Sequence, residues 1–115
     1  MNPNTRACIA YIVAGLSGTK GSYVYDRKQS KHMSISGSVG PNNENVYDYG
    51  RSCHISGPPN NLYDYGNSAH IQLSVNGSQF NGYDYASRKH FSGNTNGNSV
   101  SIYDYETLSH YSYSV

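Results

Sequence analysis

A short motif occurs five times along this chain, and it limits the possible folds more than any other feature. Each copy begins with Tyr-Asp, and a His follows seven residues after that Tyr. All five histidines are used in this way, and a second Tyr follows the Asp in every copy except the first, which has Arg27. Such self-similarity is typical of repeat proteins, in which each unit supplies one supersecondary element.

The residues that follow each His alternate between apolar and polar. After His70, for example, Ile71, Leu73 and Val75 share one face of an extended chain. Alternation with a period of two predicts a half-buried β-strand. Turn-forming pairs such as Asn76-Gly77 separate these segments. The sequence therefore predicts an all-β antiparallel meander of five tandem β-hairpins, with about ten strands.

The turn positions also predict the register. Two-residue loops at Gly50-Arg51 and Gly66-Asn67, with Gly first, suit type II′ turns and pair each Tyr with the His of its own copy. A two-residue loop at Asn76-Gly77 pairs His70 with Tyr83 and so joins neighbouring copies. The expected result is one continuous row of alternating Tyr and His, with an apolar row on the opposite face. A slip of one residue would mix these faces, whereas four-residue loops would keep them.

The sheet is expected to close, because ten strands in sequential order otherwise leave two exposed edges. A closed barrel-like roll is favoured, and a two-layer sandwich is the alternative. Residues 1–115 then form a single domain. Within it, residues 22–115 carry the hairpins, and the N-terminal apolar segment 1–21 closes or plugs the fold.

The apolar stretch 7–16 is too short to span a bilayer. A buried strand or helix is the favoured interpretation, and a rudimentary signal peptide is the alternative because Arg6 precedes the stretch. Cys8 and Cys53 fit a cytosolic protein and also an exported one with a single disulfide. The compartment therefore stays open, with the cytoplasm slightly favoured.

The segment 46–51, Val-Tyr-Asp-Tyr-Gly-Arg, resembles the YD repeat of bacterial Rhs and teneurin-type shell proteins. Those repeats are also tandem β-hairpins, so the resemblance implies a hairpin for each copy. The His of the present motif is not part of the YD pattern, and only this one copy has Gly-Arg. The resemblance therefore concerns local structure and implies no activity.

Composition excludes several classes of function. The formal net charge is +1 and only 13% of residues are charged, so the chain has neither the basic surface of a nucleic-acid-binding domain nor an acidic tail. Tyr dominates the aromatic residues, with 13 copies against 2 Phe and no Trp. Tyr can supply the buried area that the scarce aliphatic residues do not.

Five His and five Asp in equivalent positions suggest a metal site, but the predicted geometry argues against one. Successive His lie two strands apart, roughly 9.5 Å, whereas zinc ligands lie about 2.0–2.2 Å from the metal. No catalytic motif occurs, and the neighbouring Cys53 and His54 point to opposite faces of a strand. We therefore expect no enzyme, no cofactor and no metal, with a metal-binding protein as the last alternative.

We interpret the repeated Tyr, Asp and His as structural. A Tyr–His cross-strand pair packs two rings and contributes about 0.2–1 kcal/mol. An Asp just before a turn accepts hydrogen bonds from backbone N–H groups. The residues with this predicted role are Tyr47, Asp48, His54, Tyr63, Asp64, His70, Tyr83, Asp84, His90, Tyr103, Asp104 and His110.

Ligand-binding residues are sought on the Tyr/His-rich face and at positions that break the repeat. Tyr, His, Asn and Ser on one surface are residue types that stack on sugars and hydrogen-bond their hydroxyl groups. The favoured function is a non-catalytic repeat scaffold that binds a carbohydrate, or another protein, at a surface. A purely structural protein that self-assembles through its sheet edges is the alternative. The candidate ligand-binding residues are Tyr49, Tyr65, Tyr85, Tyr105, Arg51 and Arg88.

Overall fold

A closed antiparallel barrel of ten strands surrounds one α-helix in the computed structural model, which describes residues 1–115. Strands that are neighbours in sequence pair with one another, and β1 pairs with β10 to close the sheet. The predicted all-β meander and its closed form are therefore confirmed, and the sandwich alternative is wrong. The elements are α1 (Pro3–Leu16), β1 (Tyr23–Asp26), β2 (Lys31–Val39), β3 (Glu44–Asp48), β4 (Cys53–Gly57), a 3₁₀ turn (Pro59–Asn61), β5 (Leu62–Asp64), β6 (Ala69–Asn76), β7 (Gln79–Asp84), β8 (Lys89–Asn96), β9 (Ser99–Asp104) and β10 (Ser109–Ser114).

Local sequence signals define both ends of α1. The side chain of Asn2 accepts a hydrogen bond from the N–H of Thr5 at 2.7 Å, and Pro3 occupies the first helical position, where no donor is needed. At the other end Gly18 has φ +94°, and the N–H of Thr19 donates to the carbonyl of Ala14 at 2.9 Å. This arrangement is a Schellman cap, which ends the helix after four turns.

The helix lies inside the barrel. Every residue from Thr5 to Ala14 is buried, so α1 has no solvent-facing side over ten consecutive residues. A helix that is apolar on all sides is stable only where protein surrounds it. Close packing continues at Gly15, where an added Cβ atom would lie 2.8 Å from Val39. No helix of the chain is long and apolar enough to cross a membrane.

The predicted pairing within each copy is confirmed. Each first Tyr of a copy faces the His of the same copy, as Tyr47 faces His54. The hairpin loops differ from the prediction, because Asp48 pairs with Cys53 and four residues lie between them instead of two. The last loop residue is left-handed in every copy, with φ between 51° and 59° at Ser30, Ser52, Ser68, Arg88 and Leu108.

The predicted strand register between copies is wrong, and the observed register differs from it by an even number of residues. Gln72, and not His70, faces Tyr83, and Ser92, and not His90, faces Tyr103. The continuous Tyr–His row therefore does not exist.

The two-residue loops are Gly77-Ser78 and Gly97-Asn98, one residue later than predicted, because Asn76 pairs with Gln79 and Asn96 with Ser99. Moving such a loop by one residue shifts every partner by two. Since the shift is even, each side chain keeps its predicted face.

The two faces are chemically distinct, as predicted. The apolar positions point inward and form one core cluster with α1, while the His side chains are exposed on the outer wall. Gly82 interrupts the apolar set because Phe91 occupies that space, where an added Cβ atom would lie 2.3 Å from the Phe91 ring. Gly93 makes the same room for Phe80. Aromatic side chains thus fill the core where the opposite strand carries Gly.

Closure of the barrel affects the alternative function, in which copies of the protein assemble through free sheet edges. Tyr25 pairs with Ser114, and Asp26 pairs with Tyr113, so the first and last strands bond to each other. Neither strand is a free edge that a second copy could extend, because a closed barrel removes the edges of its sheet.

Glu44 is a buried charge at the start of β3, at the end of the barrel opposite Asp48. Its Oε1 atom accepts a hydrogen bond from the N–H of Gly40 at 2.8 Å, whereas Oε2 has no partner. Burial raises the pKa of Glu44, and the hydrogen bond from Gly40 opposes this only in part.

The variant Glu44→Gln tests this buried carboxyl group. Because the folded protein holds the Glu44 proton more tightly than the unfolded chain, its stabilising effect is complete below the unfolded pKa of about 4.3 and is lost as the pH rises through the folded pKa. We expect the unfolding free energy of wild type to fall relative to that of the Gln variant between about pH 4 and pH 7. Denaturant titrations across this range measure the difference, and a constant difference would contradict the assignment.

Candidate functional site

Five Asp carboxylates line the inside of one mouth of the barrel. They are Asp26, Asp48, Asp64, Asp84 and Asp104, each at the last position of an odd-numbered strand and each at most 1% exposed. In every case Oδ1 accepts a hydrogen bond of 2.9–3.1 Å from the N–H two residues later. Each Asp therefore shapes the four-residue loop that follows it.

In three of these Asp residues the second carboxylate oxygen, Oδ2, contacts an Arg side chain or the N-terminal amino group. Arg51 lies between two Asp residues, with Nε 2.6 Å from Asp48 Oδ2 and Nη1 3.1 Å from Asp64 Oδ2. Arg6 of α1 donates to Asp104 Oδ2 at 3.1 Å, and the amino group of Met1 donates to the same atom at 3.0 Å. The carboxylates thus hold the first turn of the helix against the barrel wall.

The cationic groups at this mouth pair with only some of the five Asp carboxylates. Burial lowers the pKa of Arg51, but its hydrogen bonds to Asp48 and Asp64 outweigh that effect, so the pKa lies above its ordinary value. The Oδ2 atoms of Asp26 and Asp84 are buried without a hydrogen-bond partner. Two of the five carboxylates therefore keep a desolvated oxygen that no side chain neutralises.

Two thiols lie near this cluster. Burial is the main cause that raises the pKa of Cys8, and the same cause raises the pKa of Cys53. Both cysteines are free, and a thiol with a raised pKa is a poor nucleophile at neutral pH. No group of three or more His, Cys, Asp and Glu side chains is arranged to hold a metal ion.

The outer wall carries a ring cluster in each copy. Tyr83, for example, packs against His90 with ring centroids 4.8 Å apart and against Tyr85 at the same distance, both edge to face. Copies two, three and five repeat this arrangement with centroid distances of 4.6–4.9 Å. The first copy has Arg27 in place of the second Tyr, and its third ring is Tyr23, which packs on His32 at 4.7 Å and not on Tyr25.

The candidate ligand residues do not form one site. Tyr49, Tyr65, Tyr85 and Tyr105 are 47–59% exposed at the outer edge of their clusters. Arg51 does not join them, because its side chain turns into the barrel mouth and is only 17% exposed. Arg88 is exposed in a left-handed loop position. The tyrosines therefore share one surface, and Arg51 belongs to the interior.

Two shallow grooves cross the outer wall between copies. One has a volume of about 390 Å³ and the other about 380 Å³. Most polar side chains of these grooves were not predicted as ligand residues. They occupy the outward positions of strands whose inward positions were predicted to form the core. The first groove is lined by Asn60, Gln72, Ser74, Asn81, Tyr83 and His90, and the second by Gln79, Asn81, Ser92, Asn94, Ser101, Tyr103 and His110.

No known family model, curated protein or solved structure matches this chain. The chemistry of the two surfaces, one in the barrel mouth and one on the outer wall, is therefore the basis for assigning a function.

The variants Asp64→Asn and Asp84→Asn test the difference among the mouth carboxylates. Both keep the Oδ1 acceptor for the loop, and both replace Oδ2 by an amide nitrogen. Asp64 Oδ2 also accepts hydrogen bonds from Thr5 and Asn67, whereas Asp84 Oδ2 has no partner. Asp64→Asn removes the ion pair with Arg51, and we expect a loss of about 1.5–3 kcal/mol in unfolding free energy. Asp84→Asn removes a buried charge without a partner, so it should be neutral or stabilising. Denaturant unfolding at neutral pH compares the two, and equal losses would contradict this assignment.

Proposed function

We propose that this protein is a non-catalytic scaffold that binds neutral carbohydrate on the outer wall of its barrel. The observation that carries the proposal is the repeated cluster of two Tyr rings and one His ring on that wall. A phenol ring offers an apolar face to the C–H groups of a sugar and a hydroxyl group to its oxygens. The repeat therefore supplies the same ring cluster in four of the five copies, which supports the proposal.

The polar side chains beside these rings favour a hydroxyl-rich ligand. Gln72, Asn81 and Asn94 offer both amide donors and amide acceptors, and Ser74 and Ser101 offer hydroxyl groups. A sugar hydroxyl group is itself both a donor and an acceptor, so amides and hydroxyls match it from either side. The grooves are mostly polar with one Tyr ring each, so they suit a ligand rich in hydroxyl groups better than an apolar one.

The charge distribution favours a neutral ligand. Neither groove is lined by an Asp, Glu, Lys or Arg side chain. The Asp carboxylates lie inside the barrel, and Arg51 and Arg6 pair with them there. Sulfated or sialylated glycans therefore have no cationic partner in the grooves, and electrostatics would not select them.

The rigidity of the exposed tyrosines supports binding by the wall. Each lies edge to face against another ring at 4.7–4.8 Å, which restricts its rotamers before any ligand arrives. Tyr has few rotatable bonds, so it contributes contact area at a low cost in conformational entropy. A preorganised surface binds more tightly than a mobile one of equal area.

Titration of intrinsic Tyr fluorescence with neutral tetrasaccharides tests the proposal, and sulfated and sialylated counterparts serve as the comparison. We expect saturable changes with at least one neutral ligand and none specific to the charged ones. The variant Tyr85→Ala removes the ring that packs edge to face on Tyr83 of the first groove, so it should weaken that binding roughly tenfold, which corresponds to about 1.4 kcal/mol.

Leu108→Ala is the matched control for Tyr85→Ala. Leu108 is also an exposed large side chain of a hairpin loop, at 71%, but it belongs to no ring cluster. Its removal should leave the affinity unchanged. If no neutral glycan binds while circular dichroism shows an intact fold, the proposal is wrong.

A further inference from the structure

The five copies meet at five seams, where the second strand of one copy pairs with the first strand of the next. The fifth seam joins β10 to β1, where the barrel closes. In each seam the first Tyr of one copy faces a polar residue of the copy before it on the outer wall. Tyr83 faces Gln72 and Tyr103 faces Ser92. The remaining seams pair Tyr25 with Ser114, Tyr47 with Ser36, and Tyr63 with Ser56. The barrel therefore repeats one local arrangement five times, and the seams can be compared directly.

Two of the five seams are filled by the protein's own hydrogen bonds. At the Tyr25 seam, Arg27 Nη2 donates to Ser114 Oγ at 2.7 Å and to Ser99 Oγ at 3.0 Å, so the Arg side chain lies across the wall. In the Tyr47 seam, Ser36 Oγ donates to the hydroxyl group of Tyr49 at 3.3 Å.

The Tyr47 seam has a second internal contact, in which Asn45 Oδ1 lies 3.2 Å from His54 Nδ1. At the Tyr63 seam the strands are short. Only Ile55 with Asp64 and Ser56 with Tyr63 pair there, before the 3₁₀ turn interrupts the sheet. These three seams offer little unoccupied hydrogen-bonding capacity on a continuous surface.

The remaining two seams are the two grooves, and their polar side chains make no hydrogen bonds within the protein. Gln72, Ser74 and Asn81 have no side-chain partner in the first groove, and Ser92, Asn94 and Ser101 have none in the second. These positions are equivalent from one copy to the next, since Ser74 faces Asn81 just as Asn94 faces Ser101. The protein thus leaves two matched sets of donors and acceptors free.

Resting on the proposed carbohydrate-binding function, we infer that the barrel has two equivalent glycan sites, one in each of these grooves. Each volume, about 390 Å³ and about 380 Å³, lies at the low end of the range for small-molecule sites, which suits a segment of one to three sugar rings. The grooves are neighbours on the wall, and Asn81 lines both of them. Their other lining residues differ, so each groove can hold its own glycan.

Two neighbouring sites on one face make the protein bivalent toward a glycan-covered surface. Once one groove is occupied, the second engages a neighbouring chain at a high effective concentration. We expect binding to a densely glycosylated surface to exceed binding to a soluble tetrasaccharide by roughly a hundredfold, without any additional contact.

Isothermal titration calorimetry with the tightest-binding neutral tetrasaccharide of the panel measures the number of sites. Wild type should bind two per chain. The double variant Gln72→Ala with Ser74→Ala should bind one, and Ser92→Ala with Asn94→Ala should also bind one, in the other groove. These side chains lack internal partners, so their removal should leave unfolding unchanged. The combination of all four should bind none.

The variant Ser36→Ala with Asn45→Ala is the matched control, because it removes two polar side chains of a seam that the protein fills itself. By register, Ser36 is equivalent to Gln72 and Ser92, and Asn45 is equivalent to Asn81 and Ser101. The control variant should keep two sites. One site in wild type, or glycan binding that survives in the four-residue variant, would overturn the two-groove inference and leave the proposed function standing. Failure of every neutral glycan to bind wild type would overturn both.

Discussion

A ten-stranded barrel encloses more space than its own inward side chains fill, and this constraint governs the structure. Eight strands already give an interior just wide enough for side chains alone. Here α1 fills the additional width, which explains its ten consecutive buried residues. Small residues at Ala7, Ala10 and Ala14 allow the wall to approach, while Ile9 and Ile12 fill the core. Neither the barrel nor the helix would be well packed without the other.

Burial of the helix makes the polar residues at its start a structural requirement. The first turn brings Asn4, Thr5 and Arg6 to one mouth, where Asp48, Asp64 and Asp104 receive their hydrogen bonds. The same Asp residues close the hairpin loops through Oδ1, which at Asp48 is also the oxygen that accepts from Asn4. With the Asp carboxylates and most apolar groups in the interior, the outer wall consists mainly of Tyr, His, Ser, Asn and Gln side chains, with Arg27 across one seam. This wall is where we place ligand binding.

Much of this fold follows from the repeat alone. The hairpins, the two faces and the pairing of Tyr47 with His54 depend only on local spacing, and closure follows from ten sequential strands. The register between copies was predicted wrongly because Asn76 and Asn96 were placed in the turns, whereas both end a strand and the turns begin at Gly77 and Gly97. The loops were misassigned because Ser52 and Leu108 adopt a left-handed conformation that usually indicates Gly. The two grooves were not predicted because they differ from the other seams in the hydrogen bonds of their side chains, which the sequence does not reveal.

The central claim is that α1 is the core of the barrel and not a segment attached to it, so that the wall outside is a rigid binding surface. Native-state hydrogen exchange followed by NMR tests this directly. If α1 is the core, the amides of Ile9, Ile12 and Val13 will exchange only through global unfolding, with the same free energy as the most protected amides of β8 and β9. Exchange of the helix amides at a distinctly lower free energy, while the strand amides stay protected, would contradict the account.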